Sequence, residues 1–352
     1  MKMLNNFSSV FSKIAFRFKN SDTRSLANRD IGQSFVVIAY RDQDLYVYMI
    51  RISPKGFSVL NFIELKLPSL VVGQDHVLRS NELTEMISDV LEVFAHENGE
   101  TLHLDQLPVI LFLEPSKFSI STFSLPEESS FSEIKIQLEN QEIYEIFSQS
   151  PFIQEDTCAE PFSVSSNIED LKDINVMFAS KKLLKSWSDA IQAIGLKIAY
   201  IGPSTTPLFL DLAESNEHPC LLLDMQRLNS RVYCIDGQNK PILDFKFPYG
   251  YIQFLSKDNI LDLGSIKKRL EATISHQDHL SNFQNAKVLI SGVSSSPSFS
   301  DNKSNIIDKL SFSSVNLDEK QIRFKSQVNE NLPPTARELL ITTFSLCSRL
   351  MQ

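Results

Sequence analysis

The stretch NRDIGQSFVVIAYRDQDLYVYMI, residues 28–50, decides how the fold is read. Asp30-Ile31-Gly32 is a short Asp-x-Gly turn of the sort that brings backbone amides against a phosphate, because glycine allows close approach and positive φ. If that turn is the working one, the strand before it is SLANR (residues 25–29), which is polar and a poor buried strand. In the other register Phe35–Tyr40 is the first strand. The turn after it is then Arg41-Asp42-Gln43-Asp44, with two carboxylates and no glycine.

The neighbouring sequence favours the second register. Phe35–Tyr40 is apolar and β-branched, Leu45–Ile52 mixes aromatic and β-branched residues, and Phe57–Leu67 alternates until Pro68. Polar turns at Arg41–Asp44 and Ser53–Gly56 separate them, which predicts an antiparallel meander. A helix is predicted over 82–97, with Leu83, Ile87, Val90 and Phe94 on one face, Asn81 as cap and Gly99 as stop. The same order returns later. Cys220–Met225, Arg231–Ile235 and Pro241–Phe247 read as three strands, and Ile266, Leu270 and Ile274 mark a helix near 265–280. Two β-β-β-α units about 185 residues apart form an internal repeat of element order.

Further elements lie between the repeats. Leu107–Leu113, Lys117–Leu125 and Asn175–Ala179 read as strands, and Ser130–Phe147 as an acidic helix. The segment 181–194 is the clearest helix. Leu184, Trp187, Ile191 and Ile194 form its stripe, Ser180 caps it and Gly195 ends it. Residues 294–305 read as a Ser/Asn-rich loop, and a last helix follows Pro333-Pro334 from about Thr335 to Leu350.

Composition narrows the function. The 352 residues suffice for two domains. The net charge is −9 although residues 1–33 carry six basic side chains against Asp22 and Asp30, so the rest of the chain is strongly acidic. That argues against a nucleic-acid partner, which needs a phosphate-neutralising surface. Apolar runs such as Val109–Leu113 are far shorter than the roughly 20 residues of a membrane span. The four cysteines are scattered, which fits a reducing cytosol. Within residues 1–33, Leu4, Phe7, Phe11, Ile14 and Phe18 recur at helical spacing among Lys and Arg, a pattern suited to an anionic membrane surface or a partner.

Glycine is scarce: ten in the chain, under half the ordinary frequency of roughly 7%. Loops that cradle phosphate need more than this. Other chemistry is thinly marked. His276 and His279 lack further metal ligands at readable spacing, and His96 and His103 read as loop residues beside Gly99. Glu133, Glu139, Glu142 and Glu145 read as a wet helix face, and no nucleophile elbow or P-loop occurs.

The segment INVMFASKKLLKSWSDAIQAIGLKIAYIGPSTTPLFLDL (174–212) resembles the central segment of PilM-type proteins, the cytoplasmic actin-like components of type IV pilus assembly. LPVILFLEPSKFSISTFSLP (107–126), Pro151-Phe152 and the second meander are similar to that family in order and spacing. KVLISGVSSSP (287–297) lies where the family has a strand leading into an adenosine loop. The resemblance runs from about residue 35 to the C-terminus. It implies a two-lobed actin-like α/β (RNase H-like) fold with duplicated β-β-β-α units. Lobe 1 takes residues 34–104 and 179–217 with a C-terminal helix at 335–352. A 1C-like subdomain is inserted at 105–178, lobe 2 is 218–334, and residues 1–33 are a basic extension.

The departures from the family fall on its nucleotide contacts. The second Asp-x-Gly loop reads Asp224-Met225-Gln226, the adenosine Gly-Gly reads Gly292-Val293, and of the paired glycines after the second meander only Gly250 is present. The degenerate cleft is therefore placed at Asp42, Asp44, Asp224, Gln226, Asn229, Gly292 and Val293, without catalytic or metal-binding residues. ATP and Mg²⁺ are not expected as cofactors. The resemblance implies a pseudo-ATPase scaffold at the inner membrane that binds the cytoplasmic tail of a PilN-like bitopic protein, and it leaves homo-oligomers open. Two alternatives remain. One is an active actin-like ATPase of the same superfamily. The other is the cytoplasmic part of a type II secretion L-type component, a family with a membrane helix and periplasmic domain that this chain is not expected to carry.

Overall fold

A computed structural model describes residues 33–53, 56–73, 76–98, 107–126, 131–139, 154–166, 171–207, 219–235, 242–256, 261–276, 286–291 and 322–324, with isolated positions at 280, 283, 339, 340, 342, 343 and 346. The Asp30-Ile31-Gly32 turn, the basic extension, Gly99, His103, His279, Gly292, Val293 and the 294–305 loop lie outside the described residues.

Strands β1 (Gln33–Arg41), β2 (Asp44–Ser53) and β3 (Gly56–Lys66) form the first meander. Helix α1 (Ser80–Asn98) leads to β4 (Pro108–Leu113), which pairs with β1 in parallel. With β8 (Lys197–Pro203) and β13 (Ile322–Phe324) the first sheet has the order β13-β3-β2-β1-β4-β8. The second sheet repeats this plan. Its meander is β9 (Cys220–Met225), β10 (Ser230–Ile235) and β11 (Ile242–Phe247), and β12 (Lys287–Ser291) lies parallel to β9. Helix α4 (Leu263–Ser275) buries Ile266, Leu270 and Ile274 beneath it, as the spacing predicts. The element repeat is thus a repeat of sheet topology.

Strand β1 is apolar on both faces because both faces are covered. Val36, Ile38 and Tyr40 face α1 and α3 (Lys181–Ala193). Phe35, Val37 and Ala39 face Leu339, Leu340 and Leu346 of the C-terminal helix. Tyr48 fixes that helix, with its hydroxyl 2.6 Å from Thr343 Oγ1 and 3.2 Å from the Leu339 carbonyl. Helix α3 begins where Ser180 Oγ accepts from Leu183 N at 3.2 Å, and it ends at Gly195, whose φ of 79° needs no Cβ.

The insertion holds β5 (Phe118–Pro126), α2 (Phe131–Glu139), β6 (Thr157–Ser166) and β7 (Leu171–Ser180), with sheet order β5-β7-β6. Four sequence expectations are corrected. Strand β4 belongs to the lobe 1 sheet, so the insertion begins after Leu113 and not at 105. Residues 322–324 pair with β3 and so join lobe 1, not lobe 2. Asn81 lies inside α1, whose first residue is Ser80, and His96 lies in its last turn, not in a loop.

One apolar core crosses all three units. Tyr40, Leu111 and Trp187 of lobe 1, Ile120 and Met177 of the insertion, and Leu222, Tyr233 and Ile235 of lobe 2 belong to a single buried cluster.

Candidate functional site

In open α/β sheets, ligands enter the crevice beyond the carboxyl ends of parallel strands. Here four such ends converge: those of β1 and β4 from lobe 1, and those of β9 and β12 from lobe 2. Each central strand turns back there into its meander partner, so two hairpin turns face each other across the crevice.

The first turn is a two-residue hairpin. Arg41 pairs with Asp44, and Asp42 and Gln43 between them have φ of 51° and 74°. This is the type I′ shape that right-twisted strands favour and that Asn-Gly normally supplies. Non-glycine residues there cost roughly 1–3 kcal/mol each. Surrounding contacts hold the strained shape. Asp42 N donates to Glu114 Oε1 at 2.9 Å, just past the end of β4, and Leu67 N donates to the Gln43 carbonyl at 3.0 Å.

The second turn spans Gln226–Asn229 and closes on itself, with Gln226 N donating to the Asn229 carbonyl at 3.0 Å. It is held from behind. Tyr251 N donates to the Gln226 carbonyl at 3.0 Å, and Gly250 lies so close that a Cβ would overlap the Arg227 carbonyl. This glycine therefore serves contact between two backbone segments of the protein itself.

The turns are bound to each other directly. The Arg41 guanidinium donates to Asp224 Oδ1 at 2.6 Å, and the two side chains are 3% and 0% exposed. Ser291 Oγ, at the end of β12, donates to the same Asp224 oxygen at 3.0 Å. In the other direction Arg227 N donates to Asp42 Oδ1 at 3.1 Å. A second buried pair, Arg231 with Asp244, lies between β10 and β11. Asp244 Oδ1 also accepts from Ile120 N of β5 at 3.3 Å, tying the insertion to lobe 2.

The seam is rich in carboxylates, and burial dominates their titration. Asp42 is pushed above the ordinary carboxylate range by desolvation, against the pull of Arg41. Glu114 rises for the same reason despite Lys117, as does Asp44 despite Lys66. Tyr40 is also raised, by burial and then by Glu114. Burial drives Asp244 up against the pull of Arg231.

Of the residues placed in the cleft from sequence, Asp42, Asp224 and Gln226 meet at the seam. Asp44 flanks it, and Asn229 is exposed, contributing its carbonyl to its own turn. Sequence reasoning missed Arg41, Glu114 and Ser291. Arg41 stood inside the turn as read, and its fully apolar leading strand was a sign that it would be carried into the interior.

No protein-family model matches the sequence, and no curated protein matches it. Solved structures do. A chain of a PilM–PilN type IV pilus biogenesis complex aligns at a TM-score of 0.60 and 13% identity, over 92% of this chain and 100% of that one. The cytoplasmic domain of EpsL, an inner-membrane component of the type II secretion system of Vibrio cholerae, aligns at 0.44 and 13%, over 90% and 95%. A Bacteroides thetaiotaomicron protein with an actin-like ATPase fold aligns at 0.40 and 12%, over 92% and 99%. The first likeness covers nearly all of this chain and the whole of that one. The chain has an actin-like fold, shared with that chain at the level of fold alone.

Proposed function

We propose that this protein is a scaffold of a type IV pilus or related fibre machine, working at the cytoplasmic face of the inner membrane with its nucleotide cleft closed by its own side chains. The observation that carries the pseudo-ATPase reading is the Arg41–Asp224 ion pair, which joins the two turns across the crevice at 2.6 Å. A phosphate entering between the turns has to take Arg41 from Asp224 and leave that buried carboxylate without its partner, at a cost of about 3–5 kcal/mol. That is a loss of roughly a hundred- to several-thousand-fold in affinity. The surrounding carboxylates Asp42, Asp224 and Glu114 add repulsion toward a polyphosphate.

The pilus part of the reading is supported by likeness to a PilM–PilN chain along its full length. In this reading the scaffold takes the short cytoplasmic tail of a bitopic membrane protein as an extended peptide. Residues 1–33 add a weak membrane contact.

Titration calorimetry with ATP·Mg²⁺ tests the first half. No binding is expected at millimolar nucleotide. Sub-millimolar binding that disappears in Asp224→Asn overturns the reading in favour of a working ATPase. For the second half, immobilised tails of small bitopic pilus proteins encoded nearby are expected to retain the protein. Failure across all of them removes the scaffold assignment.

A further inference from the structure

Helices α1 and α4 hold the same place in the two duplicated units, each following a three-stranded meander and packing against it. Their inner stripes are alike and apolar, but their outer faces carry opposite charge. Helix α1 exposes Glu85, Asp89, Glu92 and Glu97, with His96 and the 44% exposed Val93 among them. Glu85, Asp89 and Glu92 recur at i, i+4 and i+7 and so form one stripe. Among the described residues no cation pairs with these three. Helix α3 leaves the stripe clear. Val77 N donates to Ser186 Oγ at 3.0 Å and Thr84 Oγ1 to the Ala190 carbonyl at 3.3 Å, so the two helices advance in the same direction. The longer α1 runs on past the end of α3, and Lys182 and Lys185 of α3 stay at the other end.

Helix α4 exposes Lys267, Lys268 and Arg269, and Arg227 and Lys246 add to the exposed cations of lobe 2, against Asp262 and Glu271. Arg269 is held over the Tyr249 ring, 4.7 Å from its centre. Lys267 stands 3.7 Å from Glu271, an exposed pair of little strength. Between α4 and strands β9 and β12 lies an apolar cavity of about 110 Å³, lined by Leu221, Leu270, Ile274, Phe283 and Val288, with the exposed Lys267 at its edge. An apolar cavity of roughly 150 Å³ accepts a benzene ring, so this one suits a smaller branched side chain.

We propose that copies of this chain associate head to tail, the acidic α1 face of one against the basic α4 face of the next, with Val93 entering the cavity beside Lys267. One face is a valine knob ringed by carboxylates, and the other is an apolar hole edged by a cation. Their potentials are complementary, which steers the encounter and fixes the register. Both faces are exposed in the single chain, so neither satisfies the other within it. A contact between unlike faces leaves one of each kind open at the ends, and the assembly grows into a row or closes as a ring. It uses neither the crevice nor the bitopic partner, so its test is separate from those of the proposed function.

The test is sedimentation of the full chain at up to about 0.1 mM, which covers a micromolar contact. The mass is expected to exceed that of the monomer in about 0.1 M salt and to return to it in about 1 M, as the screening length falls from about 10 Å to about 3 Å. The variants Glu85→Lys/Asp89→Lys/Glu92→Lys and Lys267→Glu/Lys268→Glu each reverse one face at exposed positions, and urea unfolding checks that each keeps its fold. Either alone is expected to sediment as a monomer. Mixed in equal amounts they are expected to associate again, because the reversed α1 of one meets the reversed α4 of the other. Val93→Ala is expected to weaken the wild-type contact by roughly tenfold, through the methyl groups withdrawn from the cavity. Wild-type protein that stays monomeric throughout overturns the proposal, as does a mixture that fails to recover. Loss from the α1 reversal alone, with the α4 reversal silent, also overturns it, since the basic residues 1–33 are then what meets the acidic face.

Discussion

The two facing hairpin turns occupy equivalent places in a duplicated fold, and they solve the same problem in opposite ways. The first is as short as a hairpin allows and keeps two residues in left-handed backbone without a glycine, at 51° and 74°. The second is longer, and it borrows support from Gly250 and Tyr251 behind it. One turn stores strain and the other spreads its load. Asp42 N is taken up by Glu114, Gln226 N by Asn229 of its own turn, and Arg227 N by Asp42 across the crevice. The strand order is the same in the two units while their tips differ, one a lock and the other its keeper.

Breaking the lock has the largest expected effect. Asp224→Ala leaves the Arg41 guanidinium buried without its 2.6 Å partner and should cost about 3–5 kcal/mol in urea unfolding. The double variant Arg41→Met/Asp224→Leu should lose far less, because an apolar pair of similar volume needs no compensation. If both lose equally, the ion pair is not what joins the turns. Next comes the keeper. Gly250→Ala drives a Cβ into the Arg227 carbonyl and should destabilise by about 1–3 kcal/mol, the usual range for overpacking. The first turn should respond in the opposite sense. Gln43→Gly relieves one positive φ and is expected to stabilise by about 1 kcal/mol, read as a rise in the urea midpoint without change in slope. The smallest effect lies at Glu114. Burial raises its pKa, so its contribution is present at low pH and is lost as pH rises through the folded value. Glu114→Gln should match the wild type in acid and exceed it slightly at alkaline pH.

Much of this architecture was readable in the sequence, because it rests on local patterns. Phe35–Tyr40 and Leu45–Ile52 are β-branched and aromatic between polar turns, and they are the centre of the lobe 1 sheet. Leu184, Trp187 and Ile191, following a serine cap, gave α3 almost to the residue. Strand β6 was not readable. TCAEPFSVSS is small and polar, carries Pro161, and shifts register between Pro161 and Ser163 at the sheet edge. Such an edge is held by its neighbour and has no pattern of its own. The allegiance of β4 and of Ile322–Phe324 was hidden for another reason: chain order does not say which sheet a strand joins. The site was half readable. The loss of glycine located the crevice, but the Arg41–Asp224 pair spans 183 residues and leaves no local trace.

The shared core has a consequence for what the protein can sense. A protein that signals by hinge motion needs an interface between its halves that can open. Here Leu222, Tyr233 and Ile235 lie in one oily interior with Trp187 and Met177. Any swing would wet that interior, so amide protons on either side should exchange together with global unfolding. Such a body behaves as a fixed gauge.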